Sequence, residues 1–94
     1  MTPIDVPIAI PSMLHANTGG LNEVTVRAAT IQEAIDMLLK AYPVLGTNLY
    51  ESPGVLRPHV WIFYNEDNTR WMDSLDVPLK PGDRLTVLQA VSGG

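Results

Sequence analysis

The sequence has no cysteine, two histidines and a single phenylalanine. Without a thiol there can be no disulfide framework, no thiolate zinc site, no iron–sulfur cluster and no side-chain thiol nucleophile. Positive charge is also scarce: 6 Lys+Arg stand against 10 Asp+Glu, for a formal charge of −4. A nucleic-acid binder needs a basic surface to neutralise phosphates, so no nucleic-acid partner is expected. Long apolar runs are missing as well. The longest, Val60-Trp61-Ile62-Phe63-Tyr64, falls far short of the roughly 20 residues of a membrane helix, so no membrane partner is expected either. Met1-Thr2-Pro3-Ile4-Asp5 has no basic n-region and carries an early acid, unlike a secretory signal, and a cytoplasmic setting is the expectation.

What is present suits one small folded domain. The chain has 94 residues and is 46% hydrophobic, too apolar for a disordered tail and of a length that one core serves. Ile4, Val6, Ile8 and Ile10 alternate with Asp5, Pro7 and Ala9, the period of a half-buried strand. Pro7 cannot donate to a ladder, so this strand is expected to be well paired on one side only, or to start near Pro7. His15–Gly20 reads as a polar turn ending in Gly19-Gly20. Glu23–Arg27 alternates again, as a second strand returning antiparallel to the first.

Thr30–Tyr42 carries the clearest pattern. Ile31, Ala34, Ile35, Leu38, Leu39 and Tyr42 share one helical face. Thr30 and Glu33 have capping-box spacing, Asp36 and Lys40 the spacing of an outer-face ion pair, and Pro43 a helix stop. Residues 44–58 read as a connection with one short helical turn near Leu45–Leu49. Val60–Tyr64 is a third strand, Asn65–Asn68 a polar turn, and Thr69–Trp71 a short returning strand. Pro81-Gly82 suits the centre of a type II turn, and Arg84–Val91 is the final strand. One helix on one face of a mixed sheet, with the first and last strands central and adjacent, is an α+β arrangement whose order resembles that of the β-grasp, or ubiquitin-like, fold. The boundaries are a β-grasp domain over 1–91 and a flexible tail over 92–94.

Conventional catalytic sets are not supported. His15 and His59 sit in different segments without motif neighbours, Glu66-Asp67-Asn68 lacks calcium-loop spacing, and Gly19-Gly20 precedes a strand rather than following one. No metal site, no bound cofactor and no enzymatic activity are expected. Gly93-Gly94 is different. Two terminal glycines arise by chance in roughly 1 of 200 chains, and a tail without side chains can thread a narrow channel. Its α-carboxylate, with a pKa of roughly 3.5, is ionised at neutral pH and can attack the α-phosphate of ATP in another protein's site. Gly94 is therefore the candidate reacting residue and Gly93 the residue that lets the tail thread. Alternation along the strands points Trp61, Phe63 and Leu88 away from the helix, with Val91 further along, as an apolar patch for partner docking. Arg84 could add an ion pair to an acidic partner, though a solvated charge is the simpler reading.

The stretch from Val77 to Gly94 resembles the C-terminal signature of the ThiS/MoaD family of ubiquitin-like sulfur carriers, and Val60–Asp67 is similar to their strand and acidic turn. Ile10–Leu14 and Thr18-Gly19-Gly20 resemble the CysO-like branch, which serves cysteine synthesis. Gln89 stands where many relatives carry proline, which turns the resemblance away from the molybdopterin branch. The resemblance implies adenylation of Gly94 by a ubiquitin-activating-type adenylyl/sulfurtransferase that uses ATP, then conversion to a thiocarboxylate. A downstream sulfur-accepting synthase would take the sulfur, for cysteine, a cofactor or a specialised thio-metabolite, and a metallopeptidase is a further implied partner. The alternative is a ubiquitin-like modifier joined to lysines through the same C-terminus, and a third reading is a binding module with an inert tail.

Overall fold

Alternating residues near both ends of the chain build the centre of one sheet. The computed structural model describes residues 2–89. In it β1 (Ile4–Ala9) and β2 (Glu23–Ala28) form an antiparallel pair from Ile4 opposite Ala28 to Ala9 opposite Glu23. The last strand, β7 (Leu85–Gln89), lies parallel to β1, with Ile8 beside Leu85 and Ala9 beside Thr86. It also pairs antiparallel with β5 (Val60–Tyr64), and β5 in turn with the two-residue β6 (Asp67–Asn68). The strand order β2-β1-β7-β5-β6 places the first and last long strands side by side, as expected.

Pro7 fits this sheet for a specific reason. The Ile10 N–H donates to the Asn22 carbonyl at 2.9 Å, which sets the phase of the β1–β2 ladder. Even-numbered residues exchange main-chain bonds between the two strands, and odd-numbered residues direct theirs the other way. The missing N–H of Pro7 therefore faces β7, not β2. Pairing with β7 begins only at Ile8, so the proline removes no bond from either ladder.

The inward residues of these strands, among them Val6, Ile8, Val24, Val26, Val60, Ile62, Leu85 and Val87, are buried beneath α1 (Ile31–Ala41), which contributes Ile31, Ala34, Ile35 and Leu38. Thr30 caps α1 by accepting from the Glu33 N–H at 3.1 Å. The Glu33 carboxylate reaches one residue further back than a standard capping box, to the Ala29 N–H at 3.0 Å. The expected Asp36–Lys40 pair does not form; Asp36 accepts from Gln32 Nε2 at 2.9 Å instead, a partner one turn earlier on the same exposed face.

Three segments differ from the sequence expectation. Ser12–Thr18 is a 3₁₀ segment closed by Gly19 at φ 71°, not an open turn. It buries Leu14, and His15 Nε2 lies 2.9 Å from the Ile10 carbonyl. Residues 44–58 are more ordered than a connection with one short helical turn near Leu45–Leu49: that turn is part of a longer helix, and a hairpin follows it. Pro43 both ends α1 and opens α2 (Pro43–Leu49), followed by the hairpin of β3 (Tyr50–Ser52) and β4 (Val55–Leu56). Thr69–Trp71 is a 3₁₀ turn rather than a strand, begun by Asn68 Oδ1 accepting from the Arg70 N–H at 2.9 Å.

Leu45 and Leu49 of α2 are 0% and 1% exposed within the main core. Truncating Leu49 removes methyl groups and leaves a cavity, so Leu49→Ala should lower the unfolding free energy by about 2–5 kcal/mol in a urea titration. A loss under 1 kcal/mol would mean that α2 is an accessory to the core.

Candidate functional site

The final strand is aimed by a clasp at its start. Lys80-Pro81-Gly82-Asp83 is a turn with Gly82 at φ 95° and an Asp83 N–H to Lys80 carbonyl bond of 3.0 Å. This is the glycine-bearing turn that Pro-Gly suggests. Asp83 is buried and anchors the turn to the end of β5. It accepts from the Tyr64 hydroxyl at 2.7 Å, from the Lys80 N–H at 2.8 Å and from Asn65 Nδ2 at 3.1 Å. Asn65, at φ 53°, completes the clasp through two bonds to the backbone of Arg84.

Beyond the clasp, β7 alternates. Leu85 and Val87 are buried under α1, while Thr86 and Leu88 face the open side of the sheet. Strand register assembles that side. Trp61 lies opposite Leu88 and Phe63 opposite Thr86, Thr86 neighbours Ala9, and Ala9 is opposite Glu23. Trp61, Phe63, Thr86 and Ala9 are half-buried, and Leu88 is 44% exposed. The result is an apolar strip across the middle of the sheet, with Glu23 at one end and Asn68, opposite Phe63, at the other. The helix α2 packs into the core on the opposite side, through Leu45 and Leu49. Arg84 is exposed and held through its backbone rather than its guanidinium.

Gln89 is the last described residue, paired opposite Val60. Val91, Gly93 and Gly94 lie outside the described residues. His15 and His59 are in separate segments, and no three His, Asp or Glu side chains cluster as a metal site would among the described residues.

The family model described as the ThiS family matches residues 16–94, from the 3₁₀ segment through Gly94. The chain belongs to the ThiS family. It is 32% identical over 93 residues to the sulfur carrier protein CysO of Mycobacterium tuberculosis, covering 97% of this chain and 100% of that protein. Among solved structures, the crystal structure of the Amycolatopsis orientalis BexX/CysO complex superposes with a TM-score of 0.78 at 30% identity, over 95% of this chain and 99% of the matched one. SAMP1 from Haloferax volcanii gives a TM-score of 0.76 at 26% identity, over 97% and 100% of the two chains. The fold is the β-grasp of these relatives, with a second helix, α2, beside the expected one.

Sequence reasoning saw Gly82-Asp83 only as a turn and missed the clasp, because Tyr64 and Asn65 lie far from Asp83 in the chain. An aspartate directly after Pro-Gly was the available signal, since its side chain can fold back onto the turn amides. Sequence reasoning also missed that Thr69 and Arg70 serve the edge of β5. Thr69 Oγ1 donates to the Ile62 carbonyl and Arg70 Nη2 to the Val60 carbonyl, both at 2.7 Å.

Burial opposes ionisation of Asp83, yet the hydrogen bonds from Tyr64, Lys80 and Asn65 outweigh it and hold its carboxyl below the ordinary 3.8. The same bond, followed by burial, pushes the Tyr64 hydroxyl from 10.0 up to about 12. A raised Tyr64 pKa gives stability that is complete below about pH 10, where the unfolded phenol is still protonated, and lost as pH rises toward 12. A lowered Asp83 pKa gives stability present above the usual carboxylate range and lost as pH falls through the folded value. Tyr64→Phe should cost about 1–3 kcal/mol at neutral pH. It should also flatten the alkaline loss of stability in denaturation curves taken at a series of pH values. An unchanged alkaline limb would assign that loss to another group.

Proposed function

We propose that this protein is a sulfur carrier that bears its sulfur on the C-terminal carboxylate of Gly94 and works with partner enzymes in the cytoplasm. The observation that carries this reading is the family match itself, which runs through Gly93-Gly94 and is joined by near full-length similarity to a protein named as a sulfur carrier. The chemistry follows from the terminal carboxylate. An ionised carboxylate is a poor acyl donor, so its oxygen first attacks the α-phosphate of ATP in an activating enzyme, releasing pyrophosphate and leaving an acyl-adenylate. A sulfide or persulfide sulfur then adds to the acyl carbon and AMP departs. Once any persulfide S–S bond has been reduced by a thiol, the terminus is a thiocarboxylate. ATP belongs to the activating enzyme, and the carrier supplies the acyl group, the tail and the surface that docks.

The described geometry supports such a division of labour. The Asp83 clasp fixes where β7 begins, and the apolar strip of Trp61, Phe63 and Leu88 offers a docking face beside it. A solved relative, the CysO of the BexX/CysO complex, engages a partner protein. A downstream sulfur-accepting synthase and a metallopeptidase are the further partners of this reading. A second reading rests on the likeness to SAMP1, the small archaeal modifier protein 1 of H. volcanii. In it the same acyl-adenylate passes to lysine amines.

Intact-mass measurement after incubation with ATP, sulfide and the activating enzyme tests both. Exchange of one terminal oxygen for sulfur is the expected result, and lysine-linked adducts in place of it would favour the modifier reading. Deleting Gly94 should abolish the mass change. All the described core residues lie between Val6 and Val87, so the deletion should leave the unfolding transition in place. A thiocarboxylate formed at full rate without Gly94 would overturn its assignment.

A further inference from the structure

The two edges of the five-stranded sheet differ. An unpaired row of N–H and C=O groups is a template for another strand, and proteins usually block it. At the β5 edge the block is explicit: beyond the short β6, Thr69 and Arg70 occupy the carbonyls of Ile62 and Val60. At the β2 edge no equivalent exists among the described residues. The ladder phase set by the Ile10–Asn22 bond directs the main-chain groups of Glu23, Thr25 and Arg27 out of the sheet. The strand runs six residues in unbroken register, without proline or lysine.

The side chains of this edge are also arranged symmetrically. Thr25 is flanked by Val24 and Val26, and these by Glu23 and Arg27. We propose that β2 pairs antiparallel with β2 of a second copy of this chain, across a two-fold axis through Thr25. In this register Thr25 faces the second copy's Thr25, Glu23 faces its Arg27, and Arg27 faces its Glu23. Each of these opposed residues has its N–H and C=O pointing out of the sheet, so all three positions are hydrogen-bonded pairs and no bulge is needed. The buried face sets Val24 against Val26, while the exposed face sets opposite charges against each other twice, an arrangement that stabilises strand pairs.

Other registers lose this match. Moving the axis to Val26 keeps the main-chain phase but sets Arg27 against Thr25 and Glu23 against Ala29. The Arg27 guanidinium already lies on the outward face, 3.1 Å from Asp5, with both side chains more than 60% exposed. That pair lies on the β1 side of Arg27, and its exposure allows the long side chain to swing across the edge to the second copy's Glu23. The contact is isologous and joins the two five-stranded sheets edge to edge. It leaves the strip of Trp61, Phe63 and Leu88 uncovered. Main-chain bonds and two ion pairs make a small interface, working against a charge of −4 on each copy. The dimer is therefore transient, with a dissociation constant of about 0.1–1 mM at low salt.

Sedimentation equilibrium of the full chain, up to a few times that range, provides the test. A monomer–dimer equilibrium that added salt weakens is expected. Glu23→Arg and Arg27→Glu should each weaken it about tenfold or more, because each sets like charges opposite one another. An equimolar mixture of the two variants should recover association as a heterodimer, since one edge is then basic and the other acidic. Both substitutions are at exposed positions, and recovery on mixing shows that neither variant failed to fold. A strictly monomeric chain, a dimer indifferent to both reversals, or variants that do not recover on mixing would each overturn the proposal.

Discussion

The parallel contact between β1 and β7 is the interaction on which the rest of the structure depends. Ile8 beside Leu85 and Ala9 beside Thr86 bring the two ends of the chain together at the centre of the sheet. Everything between them, both helices and the remaining strands, is a loop closed by that contact. Closing it costs chain entropy before any reward arrives, which makes the pairing slow to form and dependent on the burial that accompanies it. That burial comes from the inward residues Val6, Ile8, Leu85 and Val87, each at most 1% exposed. Hydrophobic burial and long-range pairing therefore arise together, and the outward face of the same strands is left for other uses.

The elements legible in the sequence are those whose signal is local and periodic. The helix α1 follows from one apolar face and from Thr30 and Glu33 at its start. The long strands β1, β2, β5 and β7 follow from alternation, and with them the outward placement of Trp61, Phe63 and Leu88. The helix α2 was legible only as a short turn near Leu45–Leu49, because Gly46 interrupts its period and only Leu45 and Leu49 carry the inward face. The Thr69–Trp71 segment reads as a strand by composition, but the side chains of Thr69 and Arg70 fill the hydrogen-bonding role that a strand backbone would have filled. The Asp83 clasp was invisible for a different reason. Its partners converge only once β5 and β7 are paired, so no local pattern announces it.

Three of the buried polar side chains in this fold guard a boundary. Asp83 secures the entrance to β7, Thr69 closes an edge of β5, and Thr30 opens α1. Each satisfies backbone or side-chain groups that would otherwise be stranded away from water. Pro7 belongs with them in reverse: it omits a donor at a place on β1 where no partner waits to receive it. The β2 edge is where this economy stops, which is why its main-chain groups are free to meet a second strand.

The absence of cysteine takes on a sharper sense in a chain proposed to carry sulfur at its terminus. An activated acyl group is open to attack by any nearby thiol, and a thiolate is a strong nucleophile near neutral pH. A cysteine on the carrier could capture its own acyl-adenylate as an internal thioester, or exchange with a persulfide on the donor. Neither diversion is open to this chain, whose only sulfur atoms are methionine thioethers, which do not form thioesters. In the proposed carrier the reactivity is thereby confined to the activated carboxylate, and the competition that remains lies between the partners' nucleophiles.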